Sequence, residues 1–369
     1  MRNARTTRRR GVTVALAAAL TLVVALVVAG CGGGSGSSSS GSTSGSGGST
    51  GTTEESSGGS SGGAKLSVVG YSTPESVYTE ALQPAFEKTP QGNGVSFSDS
   101  FGASGDQSRA VAAGQPASIV HFSTGSDMER LVEEGELVAK NWDQNKYKGI
   151  GTKSVVVILV EKGNPLGIKS FKDLEESEEA EVITPNPFSS GSARWNIMAV
   201  YGSAIEEGAS EAEALEDVKK VLEKTTAQPG SGRDAFSAFS QGEGNVLLTY
   251  ENEAIKAEKE GEEVEYVIPP YTISIETPIA VTKEAPEPQA EEFLKWLWED
   301  EAQELWAENG YRPVNPKLVD PKEFPEPEKG LFDIAKFGGW SKVKEEFFDE
   351  ENGSVAKIEE ELGYPTTSG

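Results

Sequence analysis

The sequence predicts an α/β protein with two lobes, and three observations support this prediction. Short apolar runs alternate with amphipathic stretches throughout residues 65–369, which is typical of helices packed on a sheet. The run Val155–Val160 is rich in β-branched residues and predicts a fully buried strand. About 305 residues follow residue 64, which is long for one hydrophobic core and natural for two.

The apolar runs place the individual elements in chain order. Strands are expected at 66–69, 95–97, 118–122, 155–160, 246–249, 264–268 and 273–280. Helices are expected at 78–86, 104–112 and 128–132, and further helices separate the later strands. A second cluster of apolar positions includes Trp298 and Trp306, which we interpret as helix-packing core and not as a ligand platform.

The N-terminus has the pattern of a lipoprotein signal peptide. Five arginines within residues 2–10 precede a strongly apolar stretch from Val12 to Val28. The following run, Val28-Ala29-Gly30-Cys31, resembles a lipobox, so residues 1–30 are expected to be removed and Cys31 to carry the lipid. An uncleaved anchor helix is the alternative, because the apolar stretch is nearly long enough to span a bilayer.

Residues 31–64 are expected to form a flexible tether, since after Cys31 they consist almost entirely of Gly, Ser and Thr. The working part, from residue 65 on, should therefore lie outside the cytoplasm, on the outer face of the cell membrane. Removal of residues 1–30 leaves 28 Lys and Arg against 59 Asp and Glu, a net charge of −31. Such an acidic protein is not expected to bind nucleic acid.

Four segments place Gly, Ser or an aromatic residue directly before an expected helix. They contain Ser104, the run Ser190-Gly191-Ser192, Gly232 and Tyr250. Ser104 is expected to cap its helix and to offer both its hydroxyl and its N–H. A helix N-terminus offers unpaired N–H donors and a partial positive charge, so it can bind an anion without a charged side chain. Any one of these segments is more simply a helix cap; together they predict an anion site.

The run Thr184–Asn196 and the order of the four segments resemble bacterial sulfate-binding proteins, the receptors of sulfate importers. The stretch Phe293–Val314 resembles the C-terminal helices of type II periplasmic binding proteins. The resemblance covers nearly all of residues 65–369. It implies the two-lobed type II periplasmic-binding-protein fold, in which each lobe is a mixed sheet flanked by helices. The chain would cross between lobes near 149–153 and 270–277, giving a first lobe of 65–150 plus 278–369 and a second of 151–277.

The resemblance also implies a set of site residues. Sulfate would be bound by uncharged donors at Ser104, Ser190, Gly191, Ser192, Gly232 and Tyr250. Arg194 and Arg233 would support the donor peptides from behind. Tyr250 stands where the family has Trp, and a phenol can accept as well as donate a hydrogen bond. Asp106 is expected to complement the helix dipole, but it would favour phosphate if it pointed inward.

No catalytic constellation is found in the sequence, so the protein is not expected to be an enzyme or to need a cofactor or metal. His121 is the only histidine and lies within an apolar run, which favours a buried strand position. The expected function is capture of sulfate, with thiosulfate as a close variant, and delivery to an ABC permease by a monomer. The alternatives are a receptor for phosphate or molybdate, and a surface lipoprotein used for sensing or adhesion.

Overall fold

The structure is a computed structural model that describes residues 63–285 and 288–367. The signal peptide, Cys31 and nearly all of the tether lie outside the described residues. None of the helices within the described residues has the length and apolar character needed to cross a membrane.

The first part of the chain alternates strands and helices as expected. Its elements are β1 (Lys65–Tyr71), α1 (Glu75–Val77), a π-helical turn (Tyr78–Leu82), α2 (Gln83–Phe86), β2 (Ser96–Gly102), α3 (Ser104–Ala112), β3 (Ile119–His121), α4 (Gly125–Glu133) and β4 (Ile150–Glu161). The predicted helix 104–112 coincides with α3, and the predicted strand 155–160 forms the buried half of a longer strand, β4.

The middle of the chain contains α5 (Phe171–Glu176), β5 (Val182–Ile183), α6 (Gly191–Glu206), α7 (Glu211–Glu223), β6 (Thr225–Ala227), α8 (Gly232–Ser240), β7 (Val246–Tyr250), α9 (Glu251–Glu260), β8 (Val264–Val267) and β9 (Tyr271–Val281). The remaining elements are α10 (Pro288–Trp296), α11 (Asp300–Glu308), a 3₁₀ turn (Pro316–Leu318), β10 (Gly330–Phe332), a 3₁₀ turn (Ile334–Phe337), α12 (Gly339–Phe347) and α13 (Ser354–Leu362).

The strands form one hydrogen-bonded path in the order β2-β1-β3-β9-β4-β7-β5-β6, with β10 beside β9 and β8 beside β4. The pairs at the two ends of this path, β1 with β2 and β5 with β6, are parallel. The pairs at its centre, β3 with β9, β9 with β4 and β4 with β7, are antiparallel. Each half is therefore a mixed sheet, which confirms the predicted fold class.

Two long strands pass between the halves of the path. The first part of β4, from Ile150 to Val155, pairs with β9, and its second part pairs with β7. The end of β9 instead pairs with β3, through Ile279 to Val281. The two strands lie where the crossovers between lobes are predicted.

Hydrophobic clusters define the two lobes. In the first lobe, β1–β3 and α1–α4 pack with α10 and α11, and Trp306 is buried in that core. In the second lobe, α5–α9 pack on β5–β8 and on the second part of β4. The interpretation of Trp298 and Trp306 as packing residues is confirmed, since Trp298 also lies against the first core.

The predicted extent of the first lobe is wrong for the end of the chain. Residues from Gly330 on belong to the second lobe, because Phe332, Val343 and Val355 pack in the same core as α6 and α7. Trp340 of α12 meets Trp195 of α6 edge to face, with 4.6 Å between ring centroids. The apolar faces of α12 and α13 are predictable from sequence, but the core that they cover is decided by tertiary structure.

Candidate functional site

The predicted segments converge where the two lobes touch. Gly105 N–H in the first lobe donates to Ser189 O in the second at 3.0 Å. The hydroxyls of Ser123 and Tyr250 meet across the same boundary at 2.7 Å. The N–H of Arg233 donates to Ser72 Oγ at 3.3 Å. The N-termini of α3, α6 and α8 and the ends of β1, β3 and β7 therefore surround one interlobe region, here called the cleft.

The N-terminus of α6 is built for backbone donation. Ser190 occupies the N-cap position with extended backbone, and its hydroxyl makes no capping bond. Gly191 and Ser192 begin the helix, so their N–H groups have no partner within it. A Cβ added at Gly191 would lie 2.6 Å from Ser123 Oγ, closer than side-chain atoms tolerate. Glycine is needed there because the opposite lobe approaches the helix mouth.

The loop before α6 is fixed by Asn186. Its side-chain oxygen accepts the Phe188 N–H at 2.8 Å, and its backbone oxygen accepts the Ser190 N–H at 2.9 Å. Its amide nitrogen donates to Gln228 Oε1 and to Pro365 O at 3.1 and 2.9 Å. The loop is thus held from both sides, which sets the direction in which α6 begins.

The N-terminus of α8 contributes Gly232. Ser231 caps this helix by accepting the Asp234 N–H at 3.2 Å, so the helix begins at Gly232. A Cβ on Gly232 would lie 2.8 Å from Ser192 Oγ and 3.3 Å from Thr73 Cγ2. Gly232 therefore faces both the mouth of α6 and the first lobe, with its N–H in the first helical turn.

Ser104 lies in the cleft but does not cap α3, because Ala103 is the N-cap and Ser104 is the first helical residue. Its hydroxyl donates to Asp127 Oδ2 at 2.7 Å and accepts the Ser123 N–H at 2.9 Å. The expectation that Ser104 offers both its hydroxyl and its N–H is therefore wrong for the hydroxyl proton. Its backbone N–H, in the first turn of α3, is the group available for a ligand.

Asp127 organises this wall of the cleft, and no local pattern in the sequence predicts its role. The side chain is fully buried and accepts bonds from Ser104, from Thr124 Oγ1 at 2.9 Å and from Arg130 Nη1 at 3.3 Å. Its oxygens are thus engaged by two hydroxyls and a guanidinium. Ser123 and Thr73 were missed as well; their only local signal is that each closely follows a strand.

Tyr250 is buried, with 1% of its surface exposed, at the end of β7. Burial raises the pKa of its phenol well above the usual value, so the phenol keeps its proton. It stands in the cleft as expected, with its hydroxyl against Ser123.

The two arginines lie behind the donor peptides. Arg194 Nε donates to Pro187 O at 2.8 Å and Nη1 to Ser126 Oγ at 3.3 Å. Burial lowers the pKa of its guanidinium from the ordinary value. Arg233 Nη2 donates to Thr73 O at 3.0 Å and lies 3.2 Å from Glu253 Oε1. Both guanidinium groups thus bind carbonyl oxygens of loops that border the cleft.

Asp106 is directed to solvent and not into the cleft. Half of its side-chain surface is exposed, and it pairs with Arg109 one helical turn away. Arg109 also donates to Phe188 O at 3.3 Å. The inward orientation of Asp106 that would favour phosphate is therefore not observed.

His121 is buried at the end of β3, as its apolar neighbours predict. Its Nδ1 lies 2.8 Å from the Tyr78 hydroxyl and its Nε2 lies 3.0 Å from Thr277 Oγ1 of β9. Burial lowers its pKa to about 3, so the ring is neutral near pH 7. Within residues 63–285 and 288–367, no cluster of three His, Cys, Asp or Glu side chains is placed to hold a metal ion.

Comparison with known proteins identifies the family. Residues 66–312 match the family described as bacterial extracellular solute-binding protein. A sulfate-binding protein of Synechococcus elongatus is 36% identical over 296 residues, which cover 77% of this chain and 83% of the relative. A thiosulfate-binding protein of Pseudomonas aeruginosa is 33% identical over 295 residues, covering 76% of this chain and 88% of the relative.

The fold agrees with these sequence matches. The solved structure of the sulfate-binding protein SubI from Mycobacterium tuberculosis has a TM-score of 0.74 and 42% identity, and the match covers 78% of this chain and 100% of that one. These relatives are named as binding proteins and not as enzymes. The chain therefore belongs to the bacterial extracellular solute-binding proteins, in the family of the sulfate-binding proteins.

Proposed function

We propose that this protein captures sulfate in the cleft and delivers it to the membrane permease of an ABC importer. The observation that carries the proposal is the convergence of helix N-termini from both lobes. Gly191 and Ser192 lie in the first turn of α6, Gly232 in the first turn of α8 and Ser104 in the first turn of α3, so each has a backbone N–H at a helix N-terminus. Hydroxyls of Ser190 and Tyr250 complete an uncharged donor set.

This donor set suits a fully ionised dianion. Sulfate at neutral pH only accepts hydrogen bonds, so each N–H or O–H aimed at it is satisfied. Helix N-termini add a partial positive charge at contact distance without the desolvation cost of a buried cation. Asp106 points to solvent, and the charge of the Asp127 carboxylate is paired with Arg130 at 3.3 Å, so neither carboxylate presents an unpaired charge to the anion.

In this account the arginines orient the site without binding the anion. Arg194 fixes Pro187 O and Arg233 fixes Thr73 O, each beside a donor segment. Arg194→Ala should weaken sulfate binding without abolishing it, whereas Ser190→Ala should cost about 1–3 kcal/mol of binding free energy. Complete loss of binding by a folded Arg194→Ala protein would overturn this division of roles.

Delivery requires that the permease distinguish the liganded protein. Movement of the lobes about β4 and β9 would open and close the cleft, and the closed form would be the one recognised. The family places the protein outside the cytoplasm. A lipid on Cys31 would hold the monomeric protein at the membrane, with residues 32–64 as a tether.

The acidic surface does not conflict with an anionic ligand. At physiological ionic strength the Debye length is about 8 Å, so charges spread over the surface are mostly screened. The donors of the cleft act at contact distance, where screening is weak. We expect the net charge to reduce the association rate slightly and to leave the bound state unaffected.

Equilibrium calorimetry with sulfate, thiosulfate, phosphate and molybdate at neutral pH tests the proposal. We expect one sulfate per chain, with thiosulfate binding to the same site, because the relatives include proteins named for either anion. If phosphate or molybdate binds more tightly than sulfate, that anion and not sulfate is the ligand. Absence of any oxyanion binding by folded protein would leave a sensing or adhesion role, which transport measurements in a deletion strain would then test.

A further inference from the structure

Two hydroxyl groups meet in the cleft. A hydroxyl can accept a hydrogen bond as well as donate one, whereas a peptide N–H can only donate. Ser123, just after β3, and Tyr250, at the end of β7, place their oxygens 2.7 Å apart. Ser123 is fully buried and Tyr250 is 1% exposed. The bond therefore joins the two lobes in a region shielded from water.

The pair lies within the donor set. Ser123 N–H donates to Ser104 Oγ at 2.9 Å, and Ser123 Oγ is the atom that a Cβ on Gly191 would strike. Trp195 Nε1 donates to Ser123 O at 2.8 Å and fixes the backbone at this residue. An anion bound at the mouth of α6 would thus lie beside both hydroxyls.

A hydroxyl pair can reverse its hydrogen bond, since each oxygen both donates and accepts. When Ser123 donates to Tyr250, the phenol proton is free to point at the ligand. When Tyr250 donates to Ser123, a phenol lone pair is free for the ligand and the Ser123 proton can bond another ligand oxygen. The oxygen positions are the same in both arrangements, so the reversal needs no movement of the lobes.

We propose that the Ser123–Tyr250 pair allows the cleft to bind a singly protonated tetrahedral dianion, with hydrogen phosphate as the probe, in addition to a fully ionised one. This inference rests on the proposed anion site. The ligand proton is donated to Tyr250 Oη, the phenol proton to Ser123 Oγ, and the serine proton returns to the ligand. Each proton stays on its own oxygen.

A site made only of donors would behave differently. It would leave the proton of hydrogen phosphate without an acceptor, which costs about one to two powers of ten in affinity. The test therefore compares two dianions of similar size, hydrogen phosphate and monofluorophosphate, which differ by that proton. Sulfate is titrated beside them at about pH 8 to report whether the anion site itself exists.

The variants remove acceptor capacity and keep a donor. Ser123→Ala combined with Tyr250→Trp replaces the hydroxyl pair by one indole N–H, and Ser123→Ala alone is the milder change. Ser154→Ala is the matched control, because Ser154 is buried and its hydroxyl has no hydrogen-bond partner among the described residues. We expect the wild type and the control to bind the two phosphates within about tenfold of each other, and the double variant to lose at least tenfold for hydrogen phosphate alone.

The outcomes separate this inference from the proposed function. If the wild type binds sulfate and monofluorophosphate but binds hydrogen phosphate more than about tenfold more weakly than monofluorophosphate, the inference is overturned and the sulfate site stands. An equal ratio in wild type and double variant overturns it as well. If the double variant does not fold, the wild-type ratio and Ser123→Ala decide. Loss of all three anions from folded wild-type protein contradicts the proposed function instead.

Discussion

The two lobes form the two walls of the cleft, and each lobe lines its wall with different chemical groups. The second lobe presents the first turns of α6 and α8, where Gly191 and Gly232 have no side chain and the donors are peptide groups. The first lobe presents a network of hydroxyls, in which Ser104 and Thr124 are held by the buried carboxylate of Asp127. Its geometry depends on side-chain bonds and not only on helix geometry.

This difference predicts where each wall is vulnerable. A helix N-terminus keeps its N–H groups aligned as long as the helix exists, so the second lobe should tolerate polar substitutions and fail on added volume. A buried polar network fails when one member is removed, because its partners are left unsatisfied. The first lobe should therefore respond most to loss of a hydrogen-bonding group.

Removal of the carboxylate at Asp127 is the largest expected effect. Asp127→Ala leaves Arg130, Ser104 and Thr124 without their shared acceptor, so the free energy of unfolding should fall by about 3–5 kcal/mol. Urea denaturation measures this change. A loss below about 1 kcal/mol would show that the network does not stabilise the first lobe.

A larger side chain at the N-terminus of α6 tests the wall that the second lobe forms. Gly191→Ala should lower sulfate affinity by about ten- to a hundredfold, because the new Cβ would meet Ser123 Oγ. The free energy of unfolding should also fall, by about 1–3 kcal/mol, because Ser123 and Thr124 must move away from the new Cβ, which outweighs the better helix propensity of alanine. Gly230→Ala is the control, as the position has no atom within 4 Å of an added Cβ. Unchanged sulfate affinity in Gly191→Ala would mean that the lobes do not approach there in the bound state.

The pH dependence of stability tests how α13 supports the loop that precedes α6 in the second lobe. Glu359 of α13 is fully buried and accepts from Gln228 Nε2 at 3.0 and 2.9 Å, and Gln228 in turn bonds Asn186. Burial raises the pKa of Glu359 from 4.5 to about 7. The folded state therefore holds this proton more tightly than the unfolded state.

The sign of the effect follows from this pKa difference. Stability from protonated Glu359 is fully present below about pH 4.5 and is lost as the pH rises to about 7. Glu359→Gln should remove this component, so the free energies of unfolding of variant and wild type should diverge over that interval by up to about 3 kcal/mol, in favour of the variant at high pH. Parallel curves from pH 4 to pH 8 would contradict this role for Glu359.

Asp106 gives the smallest expected effect. Its ion pair with Arg109 is exposed, so Asp106→Asn should change the free energy of unfolding by less than about 1 kcal/mol. The ratio of sulfate to phosphate affinity should stay as in the wild type, because the carboxylate does not face the cleft. A change of tenfold or more in that ratio would mean that Asp106 turns inward when an anion binds.

Most of the fold is predictable from sequence because its signals are local. The β-branched run at Val155–Val160 and the amphipathic pattern at 104–112 determine β4 and α3 without reference to distant residues. The placement of α12 and α13 is not local. Their apolar stripes fit either core, and only packing against α6 and α7 assigns them to the second lobe.

Some residues of the site are likewise predictable from local sequence patterns, and others are not. The helix mouths at Gly191 and Gly232 follow from Gly and Ser before apolar helical patterns, which the sequence displays. Asp127 and Ser123 carry no such signal, because one acidic residue and one serine near a strand are common, and their role arises from contacts with Ser104 and Tyr250. The hydroxyl of Ser104 was misassigned for the same reason.

In the proposed site, peptide N–H groups at the N-termini of α6 and α8 bind the anion. The most direct test is to follow backbone ¹⁵N–¹H resonances of the protein during titration with sulfate. We predict the largest downfield proton shifts at Gly191, Ser192 and Gly232, saturating at one sulfate per chain, because a charge-assisted hydrogen bond deshields its proton. Saturable sulfate binding without shifts at these three amides would place the anion elsewhere and contradict the account.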